Sequence, residues 1–281
     1  MIRVSEKIKK ILVPITSVIA GFLVGAIIMI IWSYNPIQAY SSMFESALGN
    51  MNGIGETIRE ATPLIFTAIG FSIASTAGFF NIGLPGQAQA GWLTSIWIVL
   101  ANPHMPKIVL LPLAIIAGAI IAGIAGYLRA YFGTNEVITT IMLNYIVLYS
   151  CQYLMQQIMP KSFRIDTDTT KTISENGSLH INWLSELFGS SRINCGIFLA
   201  LIALVIFWFL MKKTTLGFEI KAVGLNPFAS RYAGMSTKKN IITSMLLSGA
   251  FAGMGGVVQG LGTYQNYFTQ TTSVDTVSYT H

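Results

Sequence analysis

The side chains best suited to chemistry in this chain are neutral amides inside an uncharged stretch. The segment "FNIGLPGQAQAGWL" carries Asn81, Gln87 and Gln89, and it lies in a run, residues 61–106, without Asp, Glu, Lys or Arg. Amide groups donate and accept hydrogen bonds, but they do not exchange protons at neutral pH. The pattern therefore favours recognition of a polar, uncharged solute over ion binding or acid–base catalysis.

The same segment contains residues that interrupt a helix. Pro85 cannot donate a backbone hydrogen bond, and Gly83 and Gly86 favour a turn or an unwound stretch. One interpretation is a tight cytoplasmic turn between two membrane-crossing helices. The other is a broken helix whose freed backbone and amides line a solute path. Gln87 and Gln89 favour the solute path, because they follow the turn at the start of an apolar span.

A second polar cluster occurs in "GTNEVITTIMLNYI". Asn135 and Glu136 lie at the predicted cytoplasmic end of a helix. The helix dipole favours a negative charge such as Glu136 at this end, and Thr134 or Asn135 could cap the first turn. Thr140 and Asn144 follow one turn apart on one helical face. Asn144 could line a pore or hydrogen-bond to a neighbouring helix, and the sequence leaves both open.

A third pattern lies in the basic loop "KKTTLGFEIKAVGLNPFASRYAGMSTKKN". Asn226 can cap a helix whose first residue is Pro227, and Gly234 can end it. The predicted helix covers residues 227–233 and presents Phe228, Arg231 and Tyr232. A helix this short is marginal alone, so it is expected to dock against another protein or to lie on an anionic membrane surface.

Composition indicates that these segments belong to an integral membrane protein. Hydrophobic residues make up 53% of the 281 positions and charged residues 10%, whereas soluble domains carry about a quarter charged residues. The formal net charge is +6, but the basic residues lie in short segments between apolar runs, so nucleic-acid binding is not expected. The two cysteines and three histidines show no metal-ligand spacing, and no phosphate-binding loop motif occurs, so no metal, cofactor or catalytic site is expected.

Seven apolar passages are long enough to cross a membrane as helices. The predicted spans cover residues 11–32, 61–80, 86–101, 108–128, 137–159, 195–211 and 241–261. If all seven cross, eleven of the 17 Lys and Arg residues fall on the side of the amino terminus, which places that terminus in the cytoplasm. The fold class is thus an all-α polytopic transmembrane bundle, with an uncleaved first span rather than a signal peptide.

The segments between the spans complete this plan. Residues 40–48 have the spacing of a short amphipathic helix on the outer interface. Residues 160–194 form an outer loop too short for its own core, and residues 212–239 form a cytoplasmic loop. Rows of small residues in the fourth and seventh spans (Gly118, Ala122 and Gly126; Gly249 and Gly253; Ala252, Gly256 and Gly260) predict close helix packing. Residues 1–281 are treated as one transmembrane domain.

At these segments the sequence resembles the permease family of ABC importers for nucleosides, branched-chain amino acids and simple sugars, and the nucleoside-importer subgroup in particular. "GFFNIGLPGQAQAGWL", "TNEVITTIMLNYIVLY" and "GFEIKAVGLNPFASRYAGMSTKKNIITSMLLSGAFAGMGG" match the family patterns in order and spacing. The resemblance covers nearly the whole chain. It implies a permease subunit without catalytic activity in the prokaryotic plasma membrane, working with a cytoplasmic ABC ATPase, a second permease subunit and an extracytoplasmic solute-binding protein.

The resemblance also implies roles for individual residues. The residues that it places around the solute path are Asn81, Gly83, Gly86, Gln87, Asn135, Glu136 and Asn144. Gln89 joins this set because of its position after the turn, not because of the resemblance. The residues that the resemblance predicts to couple to the ATPase are Glu219, Lys221, Gly224, Asn226, Pro227, Arg231 and Gly234. Phe228 and Tyr232 join this set because the predicted short helix presents them.

Two features depart from the family pattern. Related chains carry an acidic residue where this one has Pro85, so that position receives no charged role. The chain ends with "TTSVDTVSYTH", where such permeases continue into further spans, so the resemblance implies that the C-terminal spans of the family are missing. A sugar or branched-chain amino acid remains an alternative solute. An ion-coupled secondary carrier is less favoured because the predicted spans carry no ionisable Asp, Glu, Lys or Arg.

Overall fold

A computed structural model describes residues 6–269 of the chain, and the described part is almost entirely helical. The α-helices are α1 (Glu6–Ile31), α2 (Pro36–Leu48), α3 (Met51–Thr76), α4 (Leu84–Ala101), α5 (Lys107–Phe132), α6 (Glu136–Tyr153), α7 (Asn182–Leu187), α8 (Gly196–Lys213), α9 (Thr215–Leu225), α10 (Pro227–Tyr232) and α11 (Thr237–Val258). Two π-helical segments, π1 (Leu154–Ile158) and π2 (Gln259–Tyr264), extend α6 and α11. Strands β1 (Arg164–Asp166) and β2 (Thr169–Thr170) form one antiparallel pair.

Each of the seven predicted spans contains a helix of the structure. Within residues 6–269, five helical segments are long and apolar enough to cross a membrane: Leu12–Ile31, Lys107–Phe132, Glu136–Ile158, Gly196–Lys213 and Thr237–Tyr264. The other two predicted spans correspond to α3 and α4, whose polar residues keep them below that apolarity. The prediction of a predominantly helical membrane protein is confirmed, and the count of seven spans stays a prediction. The lysines and arginine used for the orientation at residues 3–10 and the tail "TTSVDTVSYTH" have no described side chains.

The chain divides into two compact units within α3, residues 1–54 and 55–281. In the first unit, Asn35 caps α2, with its Oδ1 atom accepting hydrogen bonds from the backbone N–H groups of the first turn. The Tyr40 hydroxyl donates to the Phe22 carbonyl oxygen of α1 at 2.7 Å. The predicted helix over residues 40–48 is therefore present as part of α2, and its large apolar side chains Phe44 and Leu48 are exposed.

In the second unit, α4 is the central helix and packs against α5, α6 and α11. Residues 84–93 of α4 are all buried, including Trp92. The predicted rows of small residues lie at the helix contacts. A Cβ atom added to Gly118 would lie 2.6 Å from the Gly249 carbonyl oxygen, and one added to Gly256 would overlap the Ala88 carbonyl oxygen. The backbones of α5 and α4 thus approach that of α11 closely, as the small residues predicted.

Residues 160–194 cover the end of α11. In β1 and β2, Arg164 pairs with Thr170 across an irregular register, and backbone hydrogen bonds then join this part of the chain to the segment around π2. The N–H of Thr170 donates to the Tyr267 carbonyl oxygen, and that of Leu179 donates to the Leu261 carbonyl oxygen, at 2.8 and 2.9 Å. These bonds hold an otherwise polar loop onto the helical bundle.

Candidate functional site

The amides of the uncharged stretch meet in a buried group that we call the amide cluster: Asn81, Gln87 and Ser248. Asn81 and Gln87 exchange two hydrogen bonds, with Nδ2 of Asn81 2.9 Å from Oε1 of Gln87 and Nε2 of Gln87 3.0 Å from Oδ1 of Asn81. Asn81 Nδ2 also donates to the Ser248 hydroxyl of α11 at 2.9 Å. Asn81 and Gln87 are at most 1% exposed. In an apolar bundle, such mutual bonds are what makes the burial of amides tolerable.

A tight turn positions this cluster. Helix α3 ends at Thr76, Gly78 adopts a left-handed conformation at φ +82°, and α4 begins at Leu84 with Gly83 as its N-cap residue. Oδ1 of Asn81 accepts the N–H of Gly83 at 3.1 Å. Pro85 fits the first turn of α4, where its missing N–H group has no helical partner to lose.

The expectation that Gly86 belongs to a turn or unwound stretch is wrong. Gly86 lies inside α4 and is buried. Its lack of a side chain serves packing, because an added Cβ atom would lie 2.8 Å from Oδ1 and 3.1 Å from Cα of Asn144. Gly86 thus lets α6 approach the start of α4. Gly83, in contrast, does lie at the turn.

Two other predicted path residues carry buried acceptors without donors. Gln89 donates through Nε2 to the Tyr267 hydroxyl at 2.9 Å, but its Oε1 atom has no hydrogen-bond partner. The Oδ1 atom of Asn144 is also unpaired, and so is Oε1 of Gln259 at the start of π2. All three residues are less than 10% exposed. Buried amide oxygens of this kind are expected to have a partner, so they are available to a water or solute that donates hydrogen bonds.

Asn135 and Glu136 have structural partners at the start of α6. Oδ1 of Asn135 accepts the N–H groups of Val137 and Ile138, so Asn135, not Thr134, caps the helix. Glu136 pairs with Arg129 of α5, with 3.4 Å between Oε2 and Nε. The structure therefore supports the capping interpretation of this motif. The ion pair with Arg129 was not predicted.

In the loop of residues 212–239, three of the predicted coupling residues hold the loop to the bundle. Oε2 of Glu219 accepts a hydrogen bond from Nδ2 of Asn240 at 2.8 Å. Nζ of Lys221 donates to the Met211 carbonyl oxygen at 2.6 Å. A Cβ atom on Gly224 would overlap the carbonyl oxygen of the last residue of α3. These contacts fix α9 against α3, α8 and α11.

The remaining predicted coupling residues form the predicted short helix, whose large side chains are exposed. Oδ1 of Asn226 accepts the N–H groups of Phe228 and Ala229, Pro227 opens α10, and Gly234 follows the helix at φ +83°. The prediction of this helix is confirmed, although α10 ends at Tyr232. Its predicted contact residue Arg231 is also exposed.

We call Leu225, Phe228 and Tyr232 the apolar knob. Their exposed fractions are 89%, 78% and 95%, so three large apolar side chains project from a loop that is itself firmly attached. Phe228 and Tyr232 were expected from helical spacing. Leu225 was missed because helix α9 was not predicted, so the residue had no assigned face.

The sequence also did not reveal the long-range partners of the polar residues. Ser248 lies in the glycine-rich row of α11 and looked like another small packing residue, yet it completes the amide cluster. Within residues 6–269, the side chains of His, Cys, Asp and Glu form no group of three or more that could hold a metal ion. What the site offers is therefore neutral hydrogen bonding inside the bundle and an apolar surface at one end.

Comparisons with known proteins bear on both parts. Residues 53–279 match the family described as the branched-chain amino acid transport system permease component. This match includes the amide cluster, the α6 motif and the apolar knob. No solved structure matches the chain.

Among curated proteins, the nucleoside ABC transporter permease protein NupB of Lactococcus lactis is 49% identical, over 96% of this chain and 76% of that protein. The guanosine ABC transporter permease protein NupP of Bacillus subtilis is 41% identical, over 92% of this chain and 74% of its own length. The glucose ABC transporter permease protein TsgB13 of Haloferax volcanii is 34% identical, over 89% of this chain and 67% of its own.

Proposed function

The chain belongs to the family of branched-chain amino acid transport system permease components, and from that premise we propose that it is the membrane subunit of an ATP-driven importer of nucleosides. It is a multi-pass protein of the bacterial cell membrane. The observation that carries the solute class is the 49% identity to a nucleoside permease over nearly the whole chain, together with a guanosine permease at 41%.

The chemistry of the bundle supports a neutral solute. The polar side chains buried along α4 are amides and hydroxyls, and the amide oxygens of Gln89 and Asn144 lack donors. A nucleoside offers N–H and O–H groups that can pair with such acceptors without bringing a charge into the membrane. An ion would demand charged or fully oxygen-lined sites, which are costly in hydrocarbon.

We assign the predicted path residues to three roles. Gln89 and Asn144 contact the solute, because each has an unused buried acceptor. Asn81, Gln87 and Gly83 form a closed constriction through their mutual hydrogen bonds. Gly86, Asn135 and Glu136 hold α6 against α4 and α5, so that the constriction opens only when these helices move.

The apolar knob is proposed as the site where the cytoplasmic ATPase binds. Large apolar side chains exposed on a loop that faces water are unfavourable, and they are typical of a protein interface. The firmly attached α9, held by Glu219, Lys221 and Gly224, would transmit motion of α10 to α3, α8 and α11. Asn226, Pro227 and Gly234 give α10 its position, and Arg231 adds a charge at the edge of the knob.

The topology that follows has seven spans, with α3 and α4 crossing inside the bundle and the amino terminus in the cytoplasm. The 212–239 loop then faces the ATPase, and the 160–194 loop faces an extracytoplasmic solute-binding protein. A second permease subunit completes the transporter. The excess of basic residues on the side of the 212–239 loop supports this orientation.

Uptake in cells tests the proposal directly. Cells that express the chain with its cognate ATPase, second permease and binding protein should accumulate radiolabelled guanosine, and cells lacking this chain should not. An excess of unlabelled adenosine or uridine should compete, whereas ribose, glucose and leucine should not. A catalytic-site variant of the ATPase is the matched control and should abolish uptake.

Two outcomes would contradict the proposal. Competition by glucose or leucine but not by nucleosides would assign another solute, as in the sugar and amino acid members of the family. Uptake that persists with the inactive ATPase and stops with a protonophore would indicate an ion-coupled carrier.

A further inference from the structure

A cleft lies at the end of the bundle covered by the 160–194 loop, away from the apolar knob. Its volume is about 500 Å³, which is within the range of small-molecule sites. We call it the 175–183 cleft. Its lining residues are Glu175, Asn176, Ser178, His180, Ile181, Asn182, Trp183 and Gln265.

The floor of the cleft is held by a hydrogen-bond network centred on Ser178, which is 4% exposed. The Ser178 hydroxyl accepts Nε2 of Gln265 at 2.9 Å and the N–H of His180 at 3.0 Å. Nζ of Lys107 donates to the Ser178 carbonyl oxygen at 2.5 Å. A network of this kind fixes the shape of the cleft before a ligand arrives, which lowers the entropic cost of binding.

The same floor connects the cleft to the proposed solute path. The Ser178 hydroxyl also lies 3.3 Å from the Leu261 carbonyl oxygen of π2, and the N–H of Gln265 donates to the Gly260 carbonyl oxygen at 2.8 Å. Gly260 packs directly on Trp92 of α4. The cleft is therefore built on the end of α11, the helix that shares the amide cluster with α4.

The rim of the cleft offers two kinds of contact. The side chain of Trp183 is 59% exposed and provides an aromatic ring on which a planar base can stack. Glu175, Asn176 and Asn182 are exposed polar residues of the same lining. A carboxylate can accept both hydroxyls of a ribose, and amides can pair with the edge of a base.

The lining also discriminates between solute classes. It contains one carboxylate and no Lys or Arg, and the ammonium group of Lys107 is committed to the Ser178 carbonyl. A zwitterionic amino acid would leave its own carboxylate without a cationic partner. A molecule with a flat heterocycle and a neighbouring diol uses both the ring and the carboxylate.

We propose that the 175–183 cleft is a receiving site for the nucleoside, which stacks on Trp183 and pairs through its ribose with Glu175 before it enters the proposed solute path. The inference rests on the proposed function, because the solute class comes from there. It assigns to this chain a solute site of its own, distinct from that of the binding protein.

Equilibrium binding of tritiated guanosine to the purified permease–ATPase complex in lipid nanodiscs, without the binding protein, tests this site. The wild-type complex should bind guanosine saturably. Trp183→Ala should weaken binding by about tenfold or more, as expected for loss of base stacking on an aromatic ring, and Trp183→Phe should retain most of the affinity. Glu175→Gln should weaken guanosine more than 2′,3′-dideoxyguanosine, because only the former carries the diol.

Trp208→Ala is the matched control, since Trp208 is half exposed on α8 and takes no part in the cleft. Unchanged guanosine affinity in Trp183→Ala, or no saturable binding to a wild-type complex that transports guanosine in cells, would overturn the receiving site alone. Unchanged guanosine affinity with weaker capture of the binding protein would also overturn it and make the rim a protein-docking surface. Wild-type cells that take up no nucleoside would instead refute the proposed function.

Discussion

The amide cluster buries polar side chains inside the protein, whereas the apolar knob exposes large apolar side chains at its surface. In the cluster, Asn81 and Gln87 are buried in an apolar bundle and bond to each other and to Ser248. In the knob, Phe228 and Tyr232 extend into solvent from a loop that is held to the bundle by a hydrogen bond between Glu219 and Asn240. Both arrangements are costly in isolation. Amides in hydrocarbon need partners, and large apolar groups in water gain from being covered.

The two regions differ in whether that cost is met within the chain. The cluster bonds to itself, and its proposed role is to hold a closed state together. The knob has no covering group among the described residues, and its proposed role is to bind another protein. Four predictions separate these two kinds of region, beginning with the largest expected effect.

Asn81→Leu should destabilise the protein most. The change leaves the Gln87 amide, the Ser248 hydroxyl and the Gly83 N–H without their shared partner, at an expected cost of about 2–5 kcal/mol. Thermal unfolding of the purified protein in detergent measures the loss. Asn102→Leu is the control, since that amide is exposed and its loss should shift stability by no more than about 0.5 kcal/mol.

An unchanged unfolding transition in Asn81→Leu would show that the amide cluster does not stabilise the fold. If guanosine uptake were lost in the same variant, Asn81 would have to act on the solute itself, and the contrast between cluster and knob would need revision.

Phe228→Ala combined with Tyr232→Ala should weaken binding to the ATPase without changing the stability of the protein. Co-purification with the ATPase should fall by more than about tenfold, since exposed aromatic anchors dominate protein interfaces, while thermal stability in detergent stays unchanged. Phe198→Ala is the control, because Phe198 is also exposed but lies in the first turn of α8, at the end opposite the 212–239 loop. A knob variant that unfolds easily yet still binds the ATPase would contradict the assignment.

Asn226→Ala should produce an intermediate effect on the interface. The variant loses the side-chain cap that accepts the Phe228 and Ala229 N–H groups, which costs about 1 kcal/mol of helix stability. Because α10 is short, the fraction of molecules in which it is folded for docking should fall. The affinity for the ATPase should therefore fall by several-fold. Asn226→Asp restores a capping oxygen and should restore affinity; failure of this rescue would show that capping is not the cause.

The smallest effect on stability is expected from the ion pair of Glu56, which lies outside the amide cluster. Burial would raise the pKa of Glu56, but hydrogen bonds from the Arg192 N–H and the Arg59 side chain, with the charges of both arginines, lower the pKa overall. Its contribution to stability is therefore present above the ordinary carboxyl range and lost as pH falls through the lowered pKa. The contribution should be below about 1 kcal/mol, since the side chain is partly exposed.

Acid titration of the unfolding midpoint measures this effect. Glu56→Gln should flatten the loss of stability at low pH, whereas Glu186→Gln, at another exposed carboxylate of the same end, should not. The neutral amide cluster adds no pH dependence of its own. An acid profile identical in wild type and Glu56→Gln would show that the pair contributes nothing.

The long apolar helices and the local capping signals were predictable from the sequence, whereas α9 and the contacts between distant segments were not. The Asn226–Pro227–Gly234 pattern gave the start and end of α10 because capping acts between neighbouring residues. The glycine rows of α5 and α11 gave their close approach. Gly86 was misplaced because a glycine that serves a turn and one that serves packing look the same without the partner helix.

The partners of the amides show the same limit. Asn81 was recognised as a polar residue that needs a neighbour, but nothing local distinguishes Ser248 from the other small residues of α11. The exposure of Leu225 depends on α9 being held to α3 and α8, which is a long-range arrangement. The hydrogen bond of Ser248 and the exposure of Leu225 can therefore be seen only once the helices are packed together.

The accessibility of the apolar knob from the two sides of the membrane tests most directly whether the knob is the cytoplasmic binding site of the ATPase. A single cysteine at Tyr232→Cys, with Cys151 and Cys195 replaced, can be labelled with a membrane-impermeant maleimide. If the knob faces the cytoplasm and binds the ATPase, Tyr232→Cys should not be labelled in intact cells, should be labelled strongly in inside-out vesicles stripped of the ATPase, and should be protected when the ATPase is added back. Labelling of Tyr232→Cys in intact cells, or no protection by the ATPase, would contradict it.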